Sequence, residues 1–168
     1  MTDGPEYHIG NALIARNLTI ATAESCTGGL IGHRITNVPG SSAYYLGGIV
    51  AYAYKAKEQL LHVHHETLDE FGAVSQETVM EMACGIRIGL NADISLSVSG
   101  IAGPEGGLPN KPVGTVWIGI CTPESGWAKV FLFPGNREQI KAASAGEALN
   151  ALLRYLTLGS PWKDGLVV

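Results

Sequence analysis

The chain has 168 residues, of which 46% are apolar and 15% charged, and a formal net charge of −4. That length suits one domain with a sizeable core, and that composition excludes an intrinsically disordered chain. The mild acidity, with no basic stripe interleaved with aromatics, argues against a nucleic-acid partner.

The N-terminal stretch MTDGPEYHIG lacks the basic and apolar regions of a secretion signal. The longest uncharged run, residues 35–54, opens with Asn37, Pro39, Gly40, Ser41 and Ser42, so its apolar part is too short to cross a bilayer. Cys26, Cys84 and Cys121 match no zinc or redox spacing, and an odd count fits a disulfide framework poorly. A reduced, cytoplasmic setting is the expectation, with no membrane partner.

In chain order, residues 5–16 read as a helix and residues 18–23 as a buried strand. The loop Glu24-Ser25-Cys26-Thr27-Gly28-Gly29 leads into a helix ending near Thr36. Val38 to Ser42 breaks the chain, and Tyr45–Tyr52 is β-rich. A helix follows from Lys55, then a short one over Glu66–Phe71. Ser75 with Thr78 opens a further helix to about Leu90. Asp93–Ser99 alternates as a strand does, and residues 100–114 form a Gly/Pro loop. Strands over 116–121 and 129–133 flank a turn, and Asn136 caps a terminal helix over 137–156. No repeat or interdomain linker interrupts residues 1–168, which read as a single domain. Early alternation of strands and helices, then a hairpin, predicts an α/β sandwich with a mixed sheet.

Ligands in open α/β sheets bind beyond the C-terminal strand ends. Three loops leave such ends, and they carry Ser25, Tyr52 with Lys57, and the glycines after Ser99. Ser25 reads either as a helix cap or as a nucleophile beside free helix N–H groups. Its base would be His33 or Lys57, a lysine near a helix start where the dipole disfavours its charge. Cys26 reads as a small buried residue. Arg137 is a cation at a helix N-terminus, compensated either by Glu138 or by a bound anion. The run His62-Val63-His64-His65 lacks a second ligand cluster and reads as a solvated turn.

These stretches, with Pro39-Gly40-Ser41-Ser42, Gly48-Ile49-Val50-Ala51-Tyr52, Ser99-Gly100-Ile101-Ala102-Gly103-Pro104 and Phe133-Pro134-Gly135-Asn136-Arg137, resemble the C-terminal domain of the competence/damage-inducible protein CinA. That domain also occurs alone as nicotinamide mononucleotide (NMN) amidohydrolase. The resemblance spans a core of about residues 7–157 and implies a three-layer α/β/α sandwich with a mixed, mostly parallel sheet. It implies hydrolysis of the NMN carboxamide to nicotinic acid mononucleotide and ammonia, within pyridine-nucleotide metabolism, with no metal and no cofactor. It places Ser25 as nucleophile, Lys57 as its base and Tyr52 in the same site. Thr27, Gly28, Gly29, Ser42, Ser99, Gly100, Ala102, Gly103 and Arg137 would line the pocket, with oxyanion donors near Thr27–Gly29. Two features depart from the family. Tyr54 stands where many members have Asn, and the nucleotide-processing domain that often precedes this one is not expected. The alternatives are a catalytically silent nucleotide-binding domain, or an amidase for another pyridine or nucleotide amide. Self-association is left open by the sequence.

Overall fold

The computed structural model describes residues 4–164 and 166–167. The helices are α1 (Pro5–Arg16), α2 (Leu30–Thr36), α3 (Tyr54–Leu61), α4 (His65–Phe71), α5 (Gln76–Leu90) and α6 (Arg137–Leu158). The strands are β1 (Ile20–Glu24), β2 (Tyr45–Val50), β3 (Ile94–Gly100), β4 (Thr115–Cys121), β5 (Gly126–Leu132) and the two-residue β6 (Leu166–Val167). They form one sheet in the order β2-β1-β3-β4-β5-β6.

Helices cover both faces of the sheet. Ile9, Leu13, Ile31, Ile35, Leu149 and Leu152 of α1, α2 and α6 pack with Leu96, Val98 and Ile118 on one face. Leu61, Leu68, Met82 and Ile86 of α3, α4 and α5 pack with Ala21 and Ala23 on the other. The architecture is therefore the three-layer sandwich anticipated from the sequence.

The sheet is less parallel than expected. Only β1–β2 and β1–β3 pair in parallel, whereas β3–β4, β4–β5 and β5–β6 are antiparallel. The reason lies in the connections. Helical crossovers join β1 to β2 and β2 to β3, whereas a four-residue turn joins β4 to β5 and permits only a hairpin.

Strand order places the site. The chain leaves β1 for β2 on one side and returns to β3 on the other, so β1 is the switch point where a crevice opens. Because β3, β4 and β5 alternate in direction, β5 ends at the same sheet edge as β1, β2 and β3. The α6 N-terminus, capped reciprocally by Asn136 and Gln139, lands there too.

Period-2 alternation sorts side chains between the layers. On β3, Leu96 and Val98 face α6, while Ser95, Ser97 and Ser99 face α5. Their hydroxyls donate to the carbonyls of Ala83, Val79 and Ala73, each at 2.6 Å. Close approach of helices is also enforced at Gly85, where a Cβ would stand 1.9 Å from the Leu61 carbonyl oxygen of α3.

One residue earlier, Cys84 forms a disulfide with Cys121 at the end of β4, their Cα atoms 5.5 Å apart. This corrects the expectation drawn from the odd cysteine count. Spacing along the chain reports local ligand patterns, whereas this pair is brought together by α5 crossing β4; the odd thiol is Cys26, free and buried. A depression of about 350 Å³ beside the bridge contains none of the residues that meet at Ser25.

Candidate active site

Ser25 is the first residue beyond β1. Alternation sends the Glu24 side chain toward α2 and that of Ser25 toward α3. The Ser25 backbone is fixed on both sides: its N–H donates to the Val98 carbonyl at 2.9 Å, and its carbonyl accepts from Gly28 N–H at 3.0 Å.

Lys57, the fourth residue of α3, is completely buried. Its Nζ lies 3.0 Å from Ser25 Oγ, 2.7 Å from the Ala51 carbonyl and 3.3 Å from the Tyr52 carbonyl. Burial without a carboxylate partner lowers its pKa from the usual 10.5 to about 8. A neutral amine has two N–H bonds and one lone pair. With the two carbonyls taking the N–H bonds, the lone pair is left facing the serine hydroxyl.

Cys26 is the opposite case. Burial pushes its thiol up to about 12, so it stays protonated and unreactive at neutral pH. His33, the other base considered, bonds Asn37 on its own helix instead of Ser25.

Glu24 is a functional residue that the sequence reading passed over. Its buried carboxylate accepts from Thr27 Oγ1 at 2.7 Å and from the N–H groups of Gly29, Ile31 and Gly32 at 3.0, 3.1 and 2.9 Å. It is the cap of α2, set before two glycines with φ of +64° and +97°, a left-handed turn that suits glycine. The oxyanion donors anticipated around Thr27–Gly29 must therefore be revised. Gly28 and Gly29 N–H are occupied, and the Thr27 hydroxyl is turned into Glu24. Among the described residues, the N–H groups of Cys26 and Thr27 donate to no carbonyl or carboxylate and face only the weakly accepting Cys26 thiol.

Tyr52 contributes its main chain to the pair, while its exposed hydroxyl accepts from Arg137 Nη2 at 2.8 Å. That hydroxyl acts as a strut to α6. Arg137 Nη1 also donates to the Gly103 carbonyl at 2.6 Å, so the guanidinium ties the loops after β2 and β3 together. One turn further along α6, Lys141 Nζ lies 3.7 Å from where a Gly28 Cβ would stand. The signal for Lys141 was present in its i, i+4 spacing from Arg137.

Of the other expected pocket residues, Ser42 lies apart from Ser25, whereas the register that pairs Glu24 with Val98 sets Ser99 beside Ser25 on the same face of the sheet. Ser99 bonds Ala73 in the α5 layer, as above. Gly100 packs on β4, where a Cβ would meet Val116 at 2.6 Å. Ala102 is buried within the core. Ser42 is exposed in the 3₁₀ turn before β2, and because β2 runs parallel to β1 it lies at the far end of the sheet, about 16 Å from Ser25 by strand rise.

Tyr54 Oη accepts from Ala73 N–H at 3.2 Å, tying the start of α3 to the loop before α5. His64 and His65 bond Glu81 and Glu58, which raise their pKa values. Among the described residues, no cluster of three or more His, Cys, Asp or Glu side chains is arranged to hold a metal ion, and no helix is long and apolar enough to cross a membrane.

Fold and site together define a class: a three-layer α/β domain with a buried serine–lysine pair at the switch point of its sheet. The chain belongs to the CinA C-terminal domain family, whose sequence model matches residues 3–156. It is 49% identical over 148 residues to a CinA-like protein of Desulfotalea psychrophila, covering 88% of this chain and 36% of that protein. A CinA-like protein of Salinibacter ruber is 48% identical over 153 residues, covering 91% of this chain and 37% of that protein. The chain thus spans about a third of the length of these curated relatives. The crystal structure of a competence-damaged protein (CinA) superfamily protein from Klebsiella pneumoniae superposes with a TM-score of 0.88 at 37% identity, covering 91% of this chain and 96% of that one.

Proposed function

We propose that this domain hydrolyses the carboxamide of NMN to nicotinic acid mononucleotide and ammonia through an acyl-enzyme on Ser25. The observation that carries the reading is Lys57: a buried amine 3.0 Å from the serine hydroxyl, with two carbonyls orienting its lone pair. The substrate comes from the family resemblance, and the cations of α6 at the mouth of the site suit a phosphate-bearing amide.

Neutral Lys57 takes the Ser25 proton as Oγ attacks the amide carbon. The N–H groups of Cys26 and Thr27 receive the oxyanion. The Lys57 ammonium then protonates the amide nitrogen, the C–N bond breaks and ammonia leaves. Water attacks the ester, its proton passes to Lys57 and then to Ser25 Oγ, and the carboxylate departs. Glu24 keeps the loop in the shape that leaves those two N–H groups with no acceptor stronger than the Cys26 thiol.

Ammonia release by the purified protein tests the reading, with NMN, nicotinamide, NAD and glutamine offered separately, with and without chelator. Release from NMN that survives chelation is expected. Release only from another amide would replace the substrate. Absence of release from all four would leave a silent binding domain. Loss on chelation that zinc or manganese restores would refute the metal-free route.

A further inference from the structure

Resting on that reading, we infer that Lys141 is the residue that holds the anionic end of the substrate, a phosphomonoester, and that Arg137 serves as the strut which shapes the site. The two cations stand one helical turn apart on the same face of α6; Arg137 reaches the loops after β2 and β3, and Lys141 the loop after β1. Their states differ. Arg137 is engaged on both sides, by the Gly103 carbonyl at 2.6 Å and the Tyr52 hydroxyl at 2.8 Å. Lys141 is half-buried and forms no hydrogen bond or ion pair among the described residues.

Its ammonium stands over Gly28, three residues after the nucleophile, where the missing side chain leaves the approach open. Two neighbouring like charges with no acid between them are unfavourable until an anion arrives. Glu138 does not supply one: although it lies in the first turn of α6, it pairs with neither cation among the described residues. A lysine ammonium is a compact charge with three rotatable donors, which suits a terminal phosphate. An arginine locked by two bonds is less free to follow it.

The test separates this inference from the deamidase reading by measuring binding without turnover. Ribose 5-phosphate and ribose are titrated calorimetrically into wild type, Lys141→Gln, Arg137→Gln and, as a control, the exposed Lys163→Gln. Ribose 5-phosphate should bind wild type and the control alike, ribose should bind far more weakly, and Lys141→Gln should weaken ribose 5-phosphate by about tenfold or more. In turnover, Lys141→Gln should raise KM for NMN while the phosphate-free nicotinamide riboside shows no comparable change. Arg137→Gln should lower kcat for both substrates, because the Tyr52 and Gly103 loops lose their tie.

The inference is overturned if wild type shows no preference for the phosphorylated sugar, or if Lys141→Gln binds it as wild type does. It is equally overturned if the NMN-selective loss appears at Arg137. Phosphate binding through Lys141 with no amide hydrolysed would sink the deamidase reading and leave the subsite standing.

Discussion

In the parallel half of the sheet, β2, β1 and β3 end at one edge, and the loops that leave them carry Tyr52 with Lys57, Ser25 and Gly103. In the antiparallel half, β4 and β5 are joined by a tight turn at the opposite edge, and what gathers near it is covalent: the Cys84–Cys121 bridge. Parallel strands deliver every outgoing loop to one place, so chemistry assembles there from segments far apart in sequence. Antiparallel strands return at once and serve as a platform. Only the end of β5 re-enters the functional edge, and it brings the α6 cations with it.

Changes in the first half should alter rate, and changes in the second should alter stability. The largest effect is expected at Lys57. Its replacement by Met should lower kcat for NMN by about 10²- to 10⁴-fold, the usual contribution of a general base. The wild-type pH profile follows from the same group. A lysine with a pKa of about 8 is protonated and inactive as a base below that value. The rate should therefore fall about tenfold per unit as pH drops below 8, and level off above it. A flat profile from pH 6 to 9 would remove Lys57 from the base role.

A smaller rate effect is expected at Glu24. Glu24→Gln sets an amide N–H against at least one N–H donor, that of Gly32 even when its oxygen keeps Thr27, Gly29 and Ile31, and this disturbs the turn that presents Ser25. Misplacement on this scale costs roughly ten- to a hundredfold in kcat, and circular dichroism should show the fold intact. Unchanged kcat would mean that the capping carboxylate acts on stability alone.

The platform half should respond in the other currency. The disulfide closes a segment of 37 residues, for which chain entropy gives about 4 kcal/mol as an upper figure. Reduction, or Cys84→Ala with Cys121→Ala, should lower the melting temperature while turnover of NMN at 25 °C persists. Loss of turnover at temperatures where the reduced protein remains folded would show that the two halves are coupled, through Gly85 of α5 against Leu61 of α3.

The contrast also explains what was legible in the sequence. The loops that leave β1 and β2 could be read as converging, which brought Ser25 and Lys57 forward as candidates, but the choice of nucleophile and base came from the family resemblance. The Asn136 cap and the Ser75 cap were local, and both are present. Ser95, Ser97 and Ser99 share one face of β3, the face that meets α5 and toward which Ser25 also points, so their hydroxyls bond the α5 layer. Glu24 was overlooked because a capping acid is sought at the helix start, not six residues before it on a strand. Ser42 required knowing that β2 runs parallel to β1. The disulfide required the crossing of α5 over β4, which no spacing rule encodes.

The central claim is that Ser25, and not its neighbour Cys26, carries the acyl group. The most direct measurement is ammonia released from NMN by wild type, Ser25→Ala and Cys26→Ala side by side, each checked for an unchanged fold. The account predicts that Ser25→Ala loses activity by several orders of magnitude while Cys26→Ala keeps it. Activity retained without the serine hydroxyl and lost without the thiol would contradict it.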